Sequence, residues 1–191
     1  MFSFAVWLPV VSVVAIYVVR VIELRTKRDT VPGTIRETLT LRLFLAAGAL
    51  MLTGSLVEYC WRRGGLRLGP FVAGWVCAVC SFLIRWRAIA ALGQFWSLHV
   101  EIRANHQFVR SGPFRWMRHP TYFSMILELL LVGLILDVYY SLLAVSLLFV
   151  PTLLRRIRLE EALLVEKFGE AYRHYQATTP ALFPYKLPDL K

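Results

Sequence analysis

The chain has 191 residues, 58% apolar and 18% charged, which excludes a disordered chain or a polar nucleic-acid-binding tail. Its mean hydropathy of +0.57 points to a membrane protein, and its length to one domain. The net charge of +10 sits between apolar runs, so where the charge falls matters more than its total. The three cysteines supply no disulfide framework. Cys77 and Cys80 form a C-x-x-C inside an apolar run with no second ligand pair nearby, and read as a small-residue packing surface.

A helix needs about 20 apolar residues to cross a bilayer. Residues 2–19 carry no charge and form the first candidate span. Residues 43–57, extended by Leu39, Leu41, Tyr59 and Trp61, form the second, and 68–84 the third. The apolar run at 125–154 is too long for one span, and Asp137, beside Tyr139 and Tyr140, divides it into an interfacial hairpin. The expectation is therefore five spans. The first run lacks a basic leader and a small-x-small site, so it reads as a span and not as a signal peptide.

The basic residues test that count. The first connection holds Arg20, Arg25, Lys27, Arg28, Arg36 and Arg42, and the third holds Arg85, Arg87, Arg103, Arg110, Arg115 and Arg118. With seven more after Leu154, one side carries 19 Lys and Arg; the other carries 3, Arg62, Arg63 and Arg67. By the positive-inside rule the N-terminus lies outside and the C-terminus in the cytoplasm, with the basic face against anionic headgroups. The fold class expected is an all-α integral membrane bundle with a cytoplasmic amphipathic C-terminal helix and negligible strand. It forms one domain over 1–191, with three spans in 1–90 and the functional half in 91–191.

Two cytoplasmic segments are too rich in functional side chains to be connectors. Residues 85–122 contain His99, His106 and His119, a Ser111-Gly112-Pro113 turn, and Pro120 at the start of the fourth span. A zinc site on the three histidines with Glu101 has spacings matching no common signature, so no metal is expected. The bland alternative is an interfacial loop held by aromatics. After 155, Ala162, Val165, Phe168, Tyr172 and Tyr175 recur at helical spacing, with Gly169 as an interruption. Arg156 and Glu160 share one face of that helix; the bland reading is an ordinary ion pair worth a few tenths of a kcal/mol.

The string Gly112-Pro-Phe-Arg-Trp-Met-Arg-His-Pro-Thr-Tyr122 resembles the G-x-Y-x-x-x-R-H-P-x-Y box of the isoprenylcysteine carboxyl methyltransferase family. Downstream, Glu160-Glu-Ala-Leu-Leu-Val-Glu-Lys-Phe-Gly-Glu-Ala-Tyr-Arg-His-Tyr175 is similar to that family's E-E-x-x-L-x-x-x-F-G-x-x-Y-x-x-Y element. Leu92 to Trp96, and His106 before Phe108-Val109, agree as well. The resemblance implies an S-adenosylmethionine-dependent membrane methyltransferase without a Rossmann domain, and the chain has no G-x-G-x-x-G. It implies a cofactor pocket closed by the C-terminal segment and a lipophilic or prenylated acceptor entering from the bilayer.

Carried over by residue, cofactor contacts fall on His106, Gln107, Phe108, Val109, Phe114, His119, Pro120, Thr121, Tyr122 and Glu160, with His99 as a further contributor. Arg156 would meet the acceptor, and Arg156 and Glu160 form the catalytic pair. Phe114 stands where the family usually has Tyr, leaving stacking alone, and Ser124 replaces a common Gly. Glu128 either lines an acceptor tunnel or makes a polar contact within the bundle, while Glu58, near a span end, is expected to snorkel. The resemblance leaves other acceptors open: a phospholipid amine, a phenolic lipid or a thiol. A sterol-reductase-like enzyme and a non-enzymatic membrane module stand as alternatives. Membrane lipids are the expected surroundings, with no nucleic acid and no obligate protein partner.

Overall fold

A computed structural model describes residues 4–25, 33–97, 100–103 and 108–185, with side chains left out at 33–36 and 100–103. Among the described residues six α-helices follow in order: α1 (Phe4–Arg25), α2 (Leu39–Trp61), α3 (Leu68–Leu92), α4 (Pro120–Ile135), α5 (Tyr139–Phe168) and α6 (Glu170–Thr178). Between them lie β1 (Gly33–Glu37) and β2 (Val100–Arg103). These pair antiparallel, Thr34 opposite Ile102 and Ile35 opposite Glu101, with a register shift before Glu37. The ribbon adds a small strand element to a chain otherwise read as helical.

α1, α2 and α3 are long and apolar enough to cross a membrane. α4, at 16 residues, is shorter. Unlike in a water-soluble bundle, the outer face is apolar as well as the core. Leu143, Leu147, Val150 and Leu154 form a stripe along the outer face of α5, with Leu147 74% exposed. Such a stripe suits hydrocarbon, not water. Inside, Phe44, Met51, Leu131, Val132, Ile135, Phe149 and Leu153 form one core.

α3 and α4 pack most intimately because Gly74 lets the backbones approach. A methyl at that position would stand 2.5 Å from Ile135 Cγ1 and 3.1 Å from the Leu131 carbonyl oxygen. Small residues serve this purpose where helices associate in lipid.

The hairpin expected at Asp137 is present, with Asp137 in the left-handed region at φ 56°, which Asp tolerates better than most residues. Arg62 Nη1 donates to the Asp137 carbonyl at 2.7 Å, and Arg67 Nη1 to its carboxylate at 2.9 Å. Glu58 does not snorkel. It is buried, and its carboxylate accepts from the Tyr140 and Ser141 backbone N–H groups at 3.3 and 2.7 Å. The Ser141 hydroxyl adds a third bond at 2.7 Å. Glu58 thus caps the start of α5 from a neighbouring helix, satisfying donors that a helix N-terminus leaves orphaned.

The fifth span and the amphipathic segment were expected as separate elements. α5 instead runs through both as one helix of 30 residues, about 45 Å long. It stops at Gly169, where φ is 55° and ψ −131°, a conformation that favours glycine. α6 follows, and its Tyr175 hydroxyl donates to the Phe114 carbonyl.

Two substitutions probe these joints. Glu58→Ala removes three accepted bonds and is expected to cost about 2 kcal/mol, read as a lower thermal unfolding midpoint in detergent. Gly74→Ala is expected to lower the midpoint similarly by forcing α3 from α4. Gly69→Ala, where the added methyl meets nothing within 4 Å, should leave it unchanged or raise it.

Candidate functional site

The last turns of α5, the start of α4 and the start of α2 meet at a buried cation. Arg156 is 3% exposed. Its Nε donates to the Tyr122 hydroxyl at 2.9 Å and to Glu160 Oε1 at 3.2 Å, and its Nη1 donates to Thr40 Oγ1 at 3.1 Å. The Tyr122 hydroxyl donates in turn to Glu160 Oε1. Thr40 donates from its hydroxyl to Glu37 and from its backbone N–H to Glu37 Oε1 at 2.8 Å. The four-residue spacing on α5 puts Arg156 and Glu160 on one face, and Tyr122 reaches them from the first turn of α4.

Glu161, next along α5, is rotated by about 100° and serves another group. It accepts from Arg118 Nε and Nη2, each at 2.8 Å, from Gln176 Nε2 at 2.9 Å, and from His119 Nε2 at 2.9 Å. Burial alone would raise the Glu161 pKa. The bonds and charges of His119 and Arg118 outweigh it and bring the group down to about 2. Because Glu161 is an ionised acceptor, the His119 tautomer that satisfies it carries hydrogen on Nε2. His119 Nδ1 then faces Glu160 Oε2 at 3.9 Å.

The chain after α6 straps this box in place. The Arg118 and His119 backbone N–H groups donate to the carbonyls of Pro180 and Ala181 at 2.8 and 2.9 Å. Arg118 Nη1 reaches the Gln176 carbonyl at 2.9 Å and also that of Thr179. Tyr175 donates to the Phe114 carbonyl at 2.6 Å. The Phe108 ring lies against Phe168, Tyr172 and Tyr175, centroids 5.0 to 5.8 Å apart, with the Arg110 guanidinium 4.9 Å from its centroid. Burial pushes the Tyr172 and Tyr175 phenols upward, so both stay protonated.

Arg156, Tyr122, Glu160, Arg118, His119 and the Phe108, Tyr172 and Tyr175 rings border one cavity of about 530 Å³ that extends between α1, α2 and α4; Glu37, Thr40 and Glu161 are not among its lining residues. A cavity of this size falls within the range of small-molecule sites. Of the residues chosen from sequence, Phe108, Val109, Phe114, His119, Thr121, Tyr122, Glu128, Arg156 and Glu160 line it. Pro120 is buried and starts α4 but is not among its lining residues. His99, His106 and Gln107 lie outside the described residues, and with them most of the weighed zinc set.

Sequence reasoning missed Glu37 and Thr40, which hold Arg156 from a distant segment, and Arg118 and Gln176, which hold Glu161. Arg118 carried a signal, since it directly precedes His119 in the box. Glu37 and Thr40 carried none, because only folding brings α2 against α5.

Residues 74–166 match the sequence profile of the isoprenylcysteine carboxyl methyltransferase family. Over 84 residues the chain is 33% identical to YpbQ of Bacillus subtilis, described as uncharacterized, covering 44% of this chain and 50% of that protein. Over 103 residues it is 32% identical to the protein-S-isoprenylcysteine O-methyltransferase of Schizosaccharomyces pombe, covering 53% and 44%. Over 98 residues it is 32% identical to the cobalt-zinc-cadmium resistance protein CzcN of Cupriavidus metallidurans, covering 51% and 45%. The chain spans about half the length of the curated relatives it matches.

The Glu161 cluster makes stability depend on acid. Its ionised form stabilises the fold fully above the ordinary value of 4.5, and that contribution is lost as pH falls from there toward about 2. Unfolding midpoints measured from pH 7 to pH 3 should therefore drop more steeply for the wild type than for Glu161→Gln.

Proposed function

We propose, from the premise that this chain belongs through residues 74–166 to the isoprenylcysteine carboxyl methyltransferase family, that it transfers a methyl group from S-adenosylmethionine to a lipophilic acceptor. The acceptor in this reading is the carboxylate of an isoprenylcysteine-like molecule. The observation that carries the proposal is a single cavity with two kinds of wall, a buried Arg156–Glu160–Tyr122 cluster and the apolar sides of α1, α2 and α4.

The residues present suit the cofactor. Glu160 offers a carboxylate to its positive end, and Phe108, Phe114, Tyr172 and Tyr175 line the cavity with rings for a flat base. When bound, S-adenosylmethionine supplies a methyl group on a sulfonium, which leaves as a neutral thioether. The protein's contribution is positioning and exclusion of water, each a legitimate source of several kcal/mol. Thr40, Tyr122 and Glu160 hold the Arg156 guanidinium in one orientation, so its charge is already in place for a carboxylate.

The geometry favours an acceptor that arrives ionised. A carboxylic acid, with a solution pKa of about 4, needs no base at neutral pH. A phenol or amine would need one. Glu161, committed to Arg118, His119 and Gln176 and held near pKa 2, is a poor proton acceptor at pH 7. His119 keeps its Nε2 hydrogen on Glu161, which leaves Nδ1, 3.9 Å from Glu160 Oε2, as its one proton-accepting nitrogen.

In this reading α1 to α5 all cross the bilayer, with the N-terminus outside. That arrangement gathers 19 of the 22 Lys and Arg on the cytoplasmic side, where the site would then lie.

Calorimetric titration of the purified protein with S-adenosylmethionine and S-adenosylhomocysteine tests the proposal. Binding in the micromolar range is expected, weakened at least about tenfold by Glu160→Ala. Arg156→Lys keeps the charge but loses the fork, and should lower transfer to a prenylated carboxylate by about tenfold or more. No binding in detergent or lipid nanodiscs, or undiminished binding and transfer in both variants, would overturn the reading.

A further inference from the structure

The methyl-transfer reading uses one end of the cavity and leaves a second charged cluster without a role. Glu128 lies six residues after Tyr122 on α4, about 9 Å further along the axis, and lines the same cavity. Its Oε1 meets Arg85 Nη1 from α3 and lies 3.4 Å from Arg20 Nε of α1. Behind them, Glu23 accepts from Arg85 Nε at 3.0 Å and from Arg20 Nη1 at 2.9 Å. Ser81 Oγ accepts from Arg85 Nη1 at 3.2 Å and donates to the Ser124 carbonyl at 2.9 Å.

Two arginines and two glutamates therefore balance to zero between helices whose outer faces are apolar. Charges placed inside a membrane bundle are costly and tend to mark functional paths. The four are not equally enclosed. The Arg85 and Glu23 side chains are 7% and 16% exposed, those of Arg20 and Glu128 22% and 25%. Arg20, Arg85 and Glu128 border the cavity whereas Glu23 does not. Arg85 is the least exposed of these three, so the cluster's open side is the Arg20 guanidinium beside the Glu128 carboxylate, a donor next to an acceptor, among the apolar walls of Ile16, Met125 and Leu129.

The charge balance selects the ligand chemistry. A second carboxylate would be repelled by Glu128 and an ammonium by Arg20, and either would leave the cluster with net charge in a poorly solvated place. An uncharged group that both donates and accepts, a hydroxyl or an amide, satisfies both partners and leaves the balance intact. We propose that Arg20 and Glu128, backed by Glu23 and Arg85, form a specificity subsite for an uncharged hydroxyl or amide on the aliphatic body of the acceptor, about 9 Å from its methylated end. The identity of that methylated end rests on the methyltransferase reading. The subsite itself stands on the cluster and the cavity.

If the cluster served only to tie helices together, a hydroxyl entering this cavity would lose water without gaining partners, and binding would weaken. The proposal gives the opposite sign. Stearate and a mid-chain hydroxystearate are to be titrated into the full chain in lipid nanodiscs. The wild type is expected to bind the hydroxylated ligand about tenfold more tightly. The double variant Arg20→Leu, Glu128→Leu leaves the Arg85–Glu23 pair in place and should reverse that order. Equal, weaker or absent binding of hydroxystearate by the wild type overturns the subsite, as does an unchanged preference in the variant. Should the variant not fold, the wild-type comparison decides alone. S-adenosylmethionine binding, measured on the same samples, separates the two readings. Its loss with a persisting hydroxyl preference sinks the methyltransferase proposal only, and the converse sinks the subsite only.

Discussion

A guanidinium buried in a helical bundle must find a full set of partners, and Arg156 dictates much of this structure by that demand. Taking the charge out of water is tolerable only with good geometry and further hydrogen bonds. The partners come from three helices: Thr40 from α2, Tyr122 from α4 and Glu160 from α5 itself. Glu37 stands behind Thr40 and so ties the entry of α2 to the same cation. One interaction therefore sets how three helices sit relative to one another. Of the residues it gathers, Tyr122 and Glu160 border the cavity with Arg156 itself, so fold and site share one constraint.

The paired glutamates after Arg156 divide their work because consecutive helical residues point about 100° apart. Glu160 turns toward Arg156 and Tyr122. Glu161 turns toward Arg118, His119 and Gln176, and so joins the loop before α4 to the helix after Gly169. The backbone bonds from Arg118 and His119 to Pro180 and Ala181 extend that joint into the C-terminal segment. Closure of the cavity at this end is thus built from charge-assisted bonds, which are stronger than neutral ones in a partly buried setting.

Polar groups elsewhere in the bundle follow the same economy. Glu58 is held by the first turn of α5, Ser81 by the Ser124 carbonyl, and Glu128 by Arg85 and Arg20. Each joins two helices at a point where hydrophobic burial cannot discriminate between arrangements, since lipid is as apolar as the core. Hydrogen bonds and the close contact at Gly74 supply the specificity instead.

The sequence by itself determined the helical class, the position of the Asp137 hairpin, the break at Gly169 and the shared face of Arg156 and Glu160. All of these follow from local chemistry: apolar length, a charge interrupting a run, a residue free of a Cβ, and a four-residue repeat. It also marked the box ending at Tyr122, because that string and the element after Glu160 match a family pattern at the right spacing. Tertiary structure alone decided which partners these residues have. Glu37 and Thr40 lie 116 or more positions from Arg156, and nothing local in α2 announces that it will meet α5. Glu58 reads as a snorkelling acid when judged only by its distance from a span end, yet it caps another helix 82 residues away. The continuity of α5 across the charged stretch after Leu154, and the ribbon between β1 and β2, were likewise set by contacts between distant segments. Periodicity records which face of a helix is apolar. It does not record which neighbour supplies the hydrogen bonds that a buried charge requires, and that choice is made only when the helices pack.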